Sequence, residues 1–204
     1  MRPDFAQRVI AIVAACILAA ACSGTPPPSG AGSARLTFEH TGPILLDVAA
    51  IEFVEAWQQP GAAPDIGHLH RNNPPSIARA WVAHRLVRAP AASGKGTLRA
   101  ILRDGSITRT ALPVKGGVEG LFTDEPDTRL EARLAVELEL VDPAAGRIAG
   151  IQVVVTGARE VLQSASLNER DAIYFALMEK LAAALDRELD NGIRAELAFL
   201  VRQP

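Results

Sequence analysis

Residues 129–142 alternate without a break: Leu130, Ala132, Leu134, Val136, Leu138 and Leu140 fall on one side, and Glu131, Arg133, Ala135, Glu137 and Glu139 on the other. A strand repeats every two residues, so this segment puts one face on a core and the other in water. One-sided burial is the mark of an antiparallel sheet, because parallel strands are covered on both faces and read as continuous apolar runs. Any fold available to the chain must therefore cover a long apolar strand face from one side.

The end of the chain supplies the cover. Ile173, Leu177, Leu181, Leu185, Leu189, Ile193, Leu197 and Val201 recur every four residues. Because 4 exceeds 3.6, the stripe drifts around a helix by about 40° per step and would wrap across a twisted sheet. Ser166 and Glu169 frame a capping box at its start. Asn191-Gly192 either sits inside one long helix or divides two, since a mid-helix glycine costs about 1 kcal/mol against alanine.

Other elements are weaker. Residues 44–54 form a largely buried apolar strand, and Pro74-Pro75-Ser76 opens a helix running to about Arg88. Ala78, Trp81, Val82 and Leu86 share a broad face of that helix, on which Arg85 intrudes. Residues 97–112 are a β region interrupted by Asp104-Gly105, a hairpin turn or a bulge in one long strand. Asp142-Pro143-Ala144-Ala145-Gly146 turns the alternating strand into another at residues 148–161. The expected class is α+β, ordered β-α-β-β-β-α, with a mainly antiparallel sheet, two helices packed on it and a long C-terminal helix.

The N-terminus is of a different kind. Arg2 and Arg8 precede a run at residues 9–21 that is uncharged and apolar, with small residues at its end, the plan of an export signal. The run is too short to span a hydrocarbon core, which needs about 20 helical residues. Both cysteines, Cys16 and Cys22, lie within or at the end of this segment, so the body of the chain has no thiol and no disulfide. Residues 23–33 are Ser, Gly, Thr, Pro and Ala only, a tether without side chains able to nucleate packing. The expected organisation is a signal at 1–21, a modified cysteine and tether at 22–35, and one domain at 36–204.

Few constellations carry chemistry. Ser93-Gly94-Lys95-Gly96 invites comparison with a phosphate loop, but Ala89 stands where the first glycine belongs and the loop leads into a strand. His68 and His70, with Asp65 nearby and His84 in the next helix, are weak metal candidates, since a site needs three or four converging ligands and loop histidines beside Arg71-Asn72-Asn73 are more often solvated. Available carboxylates are Glu52, Glu55 and the Asp124-Glu125-Asp127 turn, and no nucleophile elbow occurs. No catalytic residue and no cofactor beyond a covalent lipid is expected. A net charge of −2 with dispersed arginines gives no stripe for nucleic acid. Trp57, in a long proline-rich loop, and Leu121 and Phe122, after a glycine-rich stretch, are possible partner anchors or else cover the core.

Ala19-Ala20-Ala21-Cys22 resembles the bacterial lipobox, with Leu18 one step further out than the pattern prefers. Cys16, behind Val13-Ala14-Ala15, is the rival site, and ordinary cleavage after Ala21 leaves a soluble periplasmic protein. With its tether and element order the chain resembles proteobacterial envelope lipoproteins, among them uncharacterised alphaproteobacterial ones and the auxiliary lipoproteins of ABC-type transport systems. The resemblance implies cleavage between Ala21 and Cys22, diacylglycerol on the Cys22 sulfur and, with Ser23 rather than Asp next, the periplasmic face of the outer membrane. It further implies an accessory or scaffold role beside an envelope protein partner, or the binding of an apolar ligand such as lipid. Palmitate labelling with membrane fractionation checks the anchor: Cys22→Ala should lose the label and leave the membrane fraction, and a mutant labelled like wild type would refute the assignment.

Overall fold

The computed structural model describes residues 35–114 and 124–203. Eight strands and two helices follow in the order β1 (Ile44–Leu46), β2 (Ala50–Glu55), α1 (Pro74–Arg85), β3 (Leu86–Arg88), β4 (Thr97–Asp104), β5 (Ile107–Ala111), β6 (Pro126–Asp142), β7 (Gly146–Leu162), α2 (Leu167–Glu196) and β8 (Val201–Arg202). The α+β class and the long terminal helix are as expected. The sheets are mixed rather than mainly antiparallel, because β2 pairs parallel with β4 and β1 parallel with β3.

The alternating segment is β6, the strand on which the main sheet is built. β7 runs antiparallel along one edge for its whole length, and β4 and β5 share the other. The Asp104-Gly105 interruption is no hairpin turn; it follows directly on a bulge at Arg103. Pairing moves by one residue between Leu102↔Val136 and Asp104↔Ala135, and Ile107↔Ala132 continues in the new register. Because β4 and β5 both run antiparallel to β6 they point the same way, which a hairpin forbids. The extra residue keeps Leu102 and Ile107 on the core side, both fully buried.

Residues 44–54 are two strands, not one. β1 leaves the main sheet for a small second sheet, ordered β3-β1-β8, whereas β2 joins the main one. Between them Val48 is fully buried and Asp47 binds a neighbouring loop, so the chain bends where a straight strand was expected. The first helix ends at Arg85, three residues early, because Leu86 pairs with Ile44 as β3.

Both helices cover the Leu130–Leu140 face of β6. α1 starts on an Asn73–Ser76 capping box with prolines at its first positions, and α2 on the expected Ser166–Glu169 box. α2 continues through Gly192, whose missing side chain admits the sheet: a Cβ there would stand 2.8 Å from Ile151 Cδ1. Gly157 makes the corresponding allowance on β7, where a Cβ would stand 2.8 Å from Leu177 Cδ1. Two glycines thus set the closest approach of helix and strand.

Arg85, the intruder on the apolar face, is the clasp between the helices. It is buried, with Nε donating to Asp186 Oδ1 at 2.7 Å and Nη2 to Asp190 Oδ1 at 3.0 Å. The Trp81 indole, fully buried beside it, donates to the same Asp186 oxygen at 2.8 Å. Arg194 caps the group from outside, 2.6 Å from Asp190 Oδ2. Removing one partner of a buried ion pair strands the others, at a cost of about 3 kcal/mol. Arg85→Ala should show that loss in urea unfolding with the m-value unchanged, and a loss under about 1 kcal/mol would mean the clasp is solvated.

Candidate functional site

The long proline-rich loop between β2 and α1 turns out to be firmly fixed. Buried Asp65 organises it, accepting from the amides of Gly67 at 3.1 Å and Ile107 at 3.2 Å and from Gln59 Nε2 at 3.3 Å. Asn73 Nδ2 donates to the carbonyls of Gly67 and His70, tying the loop to the cap of α1. From α2, the Tyr174 hydroxyl donates 2.8 Å to the Asn72 carbonyl. Trp57 lies half-buried against the core; a Cβ on Gly105 would stand 3.3 Å from its ring.

His70 stacks on Tyr174, ring centres 3.7 Å apart and planes 16° from parallel. Burial lowers the imidazole pKa, opposed by Asp171 and helped by Arg109. Burial likewise pushes the Tyr174 phenol well above its ordinary value. His68 is turned toward Asp65, its Nδ1 4.0 Å from Oδ1. The two histidines therefore serve different contacts, and among the described residues no group of three or more potential ligands converges. A shallow recess of about 130 Å³ lies over the stack, between Leu69, Asn72, Asp171 and Phe175.

The Ser93-Gly94 turn does use its amides to bind an anion, but that anion is the chain's own. Ser93 N–H and Gly94 N–H donate to Asp47 Oδ1 at 2.6 and 2.8 Å, and Arg202 of β8 closes on the second oxygen. A Cβ at Gly94 would stand 2.1 Å from the Asp47 carbonyl oxygen, so glycine is required for this approach. The Arg202 guanidinium, then the Gly94 and Ser93 amides, hold the Asp47 carboxyl down at about 2.

Several other carboxylates are engaged as well. Glu137 accepts from Arg103 at 2.9 Å and pairs with Arg147 at 3.0 Å, while Glu139 accepts from Arg99 at 2.9 Å. Arg133 joins Asp104 at 3.0 Å. This ladder paves the outer face of β4 and β6, where arginine stems cover the sheet and bury both glutamates. Glu55 pairs with Arg79, and Asp127 with Arg170. Leu121, Phe122, Ala21, Cys22 and Cys16 lie outside the described residues. Sequence reasoning missed Asp47, Asp186 and Asp190, which hold Ser93, Arg202, Trp81 and Arg85 from far along the chain.

The fold is thus an α+β domain with both helices on one face of a mixed five-stranded sheet. No protein-family model and no curated protein sequence matches the chain. Among solved structures it is similar to a minor lipoprotein from Acinetobacter baumannii, at 12% identity and TM-score 0.39 over 78% of this chain and 99% of that one. It is also similar to an uncharacterised lipoprotein B from Nitrosomonas europaea, at 12% identity and TM-score 0.38 over 78% and 94%. A third is a putative lipoprotein from Caulobacter crescentus, at 17% identity and TM-score 0.32 over 68% and 83%. These three structures are all named as lipoproteins of proteobacteria, and among the described residues of this chain no helix is long and apolar enough to cross a membrane.

Asp47 makes the domain acid-sensitive in a defined window. Its folded pKa is lowered, so its contribution is complete above the unfolded value of 3.8 and is lost as pH falls toward about 2. Urea midpoints should drop over that interval in wild type. In Asp47→Asn the domain should be weaker at neutral pH and the drop flatter; parallel curves would show that other groups set the acid limit.

Proposed function

We propose that this chain is a non-enzymatic envelope lipoprotein, held by a lipid on Cys22 and serving as an accessory or scaffold subunit in envelope assembly or transport. The observation that carries the reading is the commitment of five buried charged side chains to the domain's own architecture. Asp47 binds a turn, Asp65 orders a loop, Glu137 and Glu139 brace the sheet, and Arg85 joins the helices. Catalytic carboxylates and histidines need a free face toward a substrate. These groups spend theirs on structural partners, which leaves surfaces as the means of recognition.

The chain's entry into the domain agrees with a tethered module. Leu36 N–H donates 3.1 Å to Asn72 Oδ1, and Phe38, buried, donates its amide 3.2 Å to His84 Nδ1. The first residues of the domain are therefore held at Asn72, just before α1, and at His84 within it. About a dozen extended residues before this point would reach up to roughly 40 Å from a membrane surface. The outer membrane, periplasmic face, is the proposed site.

Cross-linking in intact cells followed by capture of a tagged chain tests the role. Wild type should retain a defined envelope protein in stoichiometric yield, and Cys22→Ala should lose it. Lipid recovered at one molecule per chain would favour a ligand-binding role instead, and turnover of an envelope substrate by the purified chain would refute the non-enzymatic reading.

A further inference from the structure

The charge ladder on the outer face of the sheet reaches β7 only at Arg147, near the start of the strand. Glu137, Glu139, Arg99, Arg103 and Arg133 protect β4 and β6, but the facing positions of β7 are Gly150, Gln152, Val154, Thr156 and Ala158. Residues 150–158 contain no charge and no proline. Among the described residues β7 pairs with β6 alone, so its other side is an edge seventeen residues long. Edge strands are ordinarily blunted by charge, proline or shortness, because their unpaired N–H and C=O groups template another strand. Here the middle of the edge is Gln152-Val153-Val154-Val155-Thr156, with Val154 43% exposed.

We propose that this edge is a self-association surface, on which β7 of a second copy of this chain pairs antiparallel about a two-fold axis through Val154. Three features select a second copy as the occupant. The strand is centred on that residue: Val153 would meet Val155 of the other copy, and Gln152 its Thr156, placing β-branched and hydrogen-bonding side chains opposite their like. Opposite charges lie at the two ends, Arg147 at the start and Glu160 near the finish, each about half exposed, so antiparallel pairing sets each near its complement. The flank of α2 repeats the pattern. An open recess of about 410 Å³ runs between Gln152–Thr156 and the helix, with Ala184 beside the strand and Arg187 and Glu188 at its rim. A two-fold axis there brings Arg187 of one copy to Glu188 of the other, replacing the exposed 2.9 Å pair each makes within its own chain. The small Ala184 lets the helices approach.

The axis is open to a direct test because the body of the chain has no cysteine. Val154→Cys in the full chain, treated in intact cells with a short bismaleimide, should give a band of two copies, since each Val154 lies opposite its counterpart. Leu162→Cys is the matched control, 42% exposed against 43% for Val154. It would lie about 50 Å from its counterpart, at about 3.3 Å per residue, and should not cross-link. The wild-type chain reports any contribution from Cys16 or Cys22. Adding Gln152→Lys and Thr156→Lys to Val154→Cys places lysine opposite lysine and should reduce the band to the Leu162→Cys level. These positions are exposed, and circular dichroism melting checks that the fold survives. Equal cross-linking at residues 154 and 162, no cross-link at Val154→Cys, or a band that survives both lysines would overturn the proposal.

Discussion

Everything in this domain is arranged about the seventeen-residue strand β6. It pairs on both edges and buries a continuous row from Leu130 to Leu140 under both helices. With no disulfide in the body, this row and the surfaces laid on it supply the dominant folding force, at about 25 cal/mol per Å² of apolar area removed from water. The bulge after Leu102 follows from the same demand. A strand slipped by one residue turns its apolar side chains to water, so the added residue is absorbed where it lets Ile107 return to the core.

The buried charges solve a different problem. Apolar faces attract without specifying how far one helix slides past another. Arg85 and Trp81 read two acids one helical turn apart, Asp186 and Asp190, and so fix the register of α1 against α2. Asp47 does the same for the chain's end. By holding Arg202 and the Ser93-Gly94 turn together it joins β1, β8 and the approach to β4 at one carboxylate. Such pairs offer little net energy over apolar replacements, but each accepts one geometry only.

This division explains what could be read from sequence. β6, β7, α2 and its cap were legible because their signals are local: alternation in the strands, a four-residue recurrence in the helix, and Ser166 three residues before Glu169. The continuity of α2 was not, since Gly192 is explained by Ile151 on another element. Arg85 looked misplaced for the same reason; its partners lie about a hundred residues away. The parallel pairings of β1 with β3 and β2 with β4 join segments separated by a helix or loop, and no local period marks them. The Ser93-Gly94 turn is not a phosphate loop by its sequence, yet its amides do bind an oxyanion, supplied from position 47.

β2 and β7, at opposite edges of the main sheet, are built to opposite specifications. β2 is short and carries Glu52 and Glu55, which face Arg99 and Arg79. Pairing another strand there would place it among charges. β7 is long, and uncharged through its middle. A soluble protein with such an edge risks uncontrolled association, because encounters come from every direction at bulk concentration. A chain confined by a lipid and a short tether meets its neighbours within a thin layer, where effective concentration is raised and orientation is limited. Under that confinement an edge of modest intrinsic affinity can pair without the large apolar interface a freely diffusing dimer needs. The anchor proposed at Cys22 and the bare edge at Val154 are thus consistent physically: the first makes the second useful, and the charges on β2 direct association to one side of the sheet.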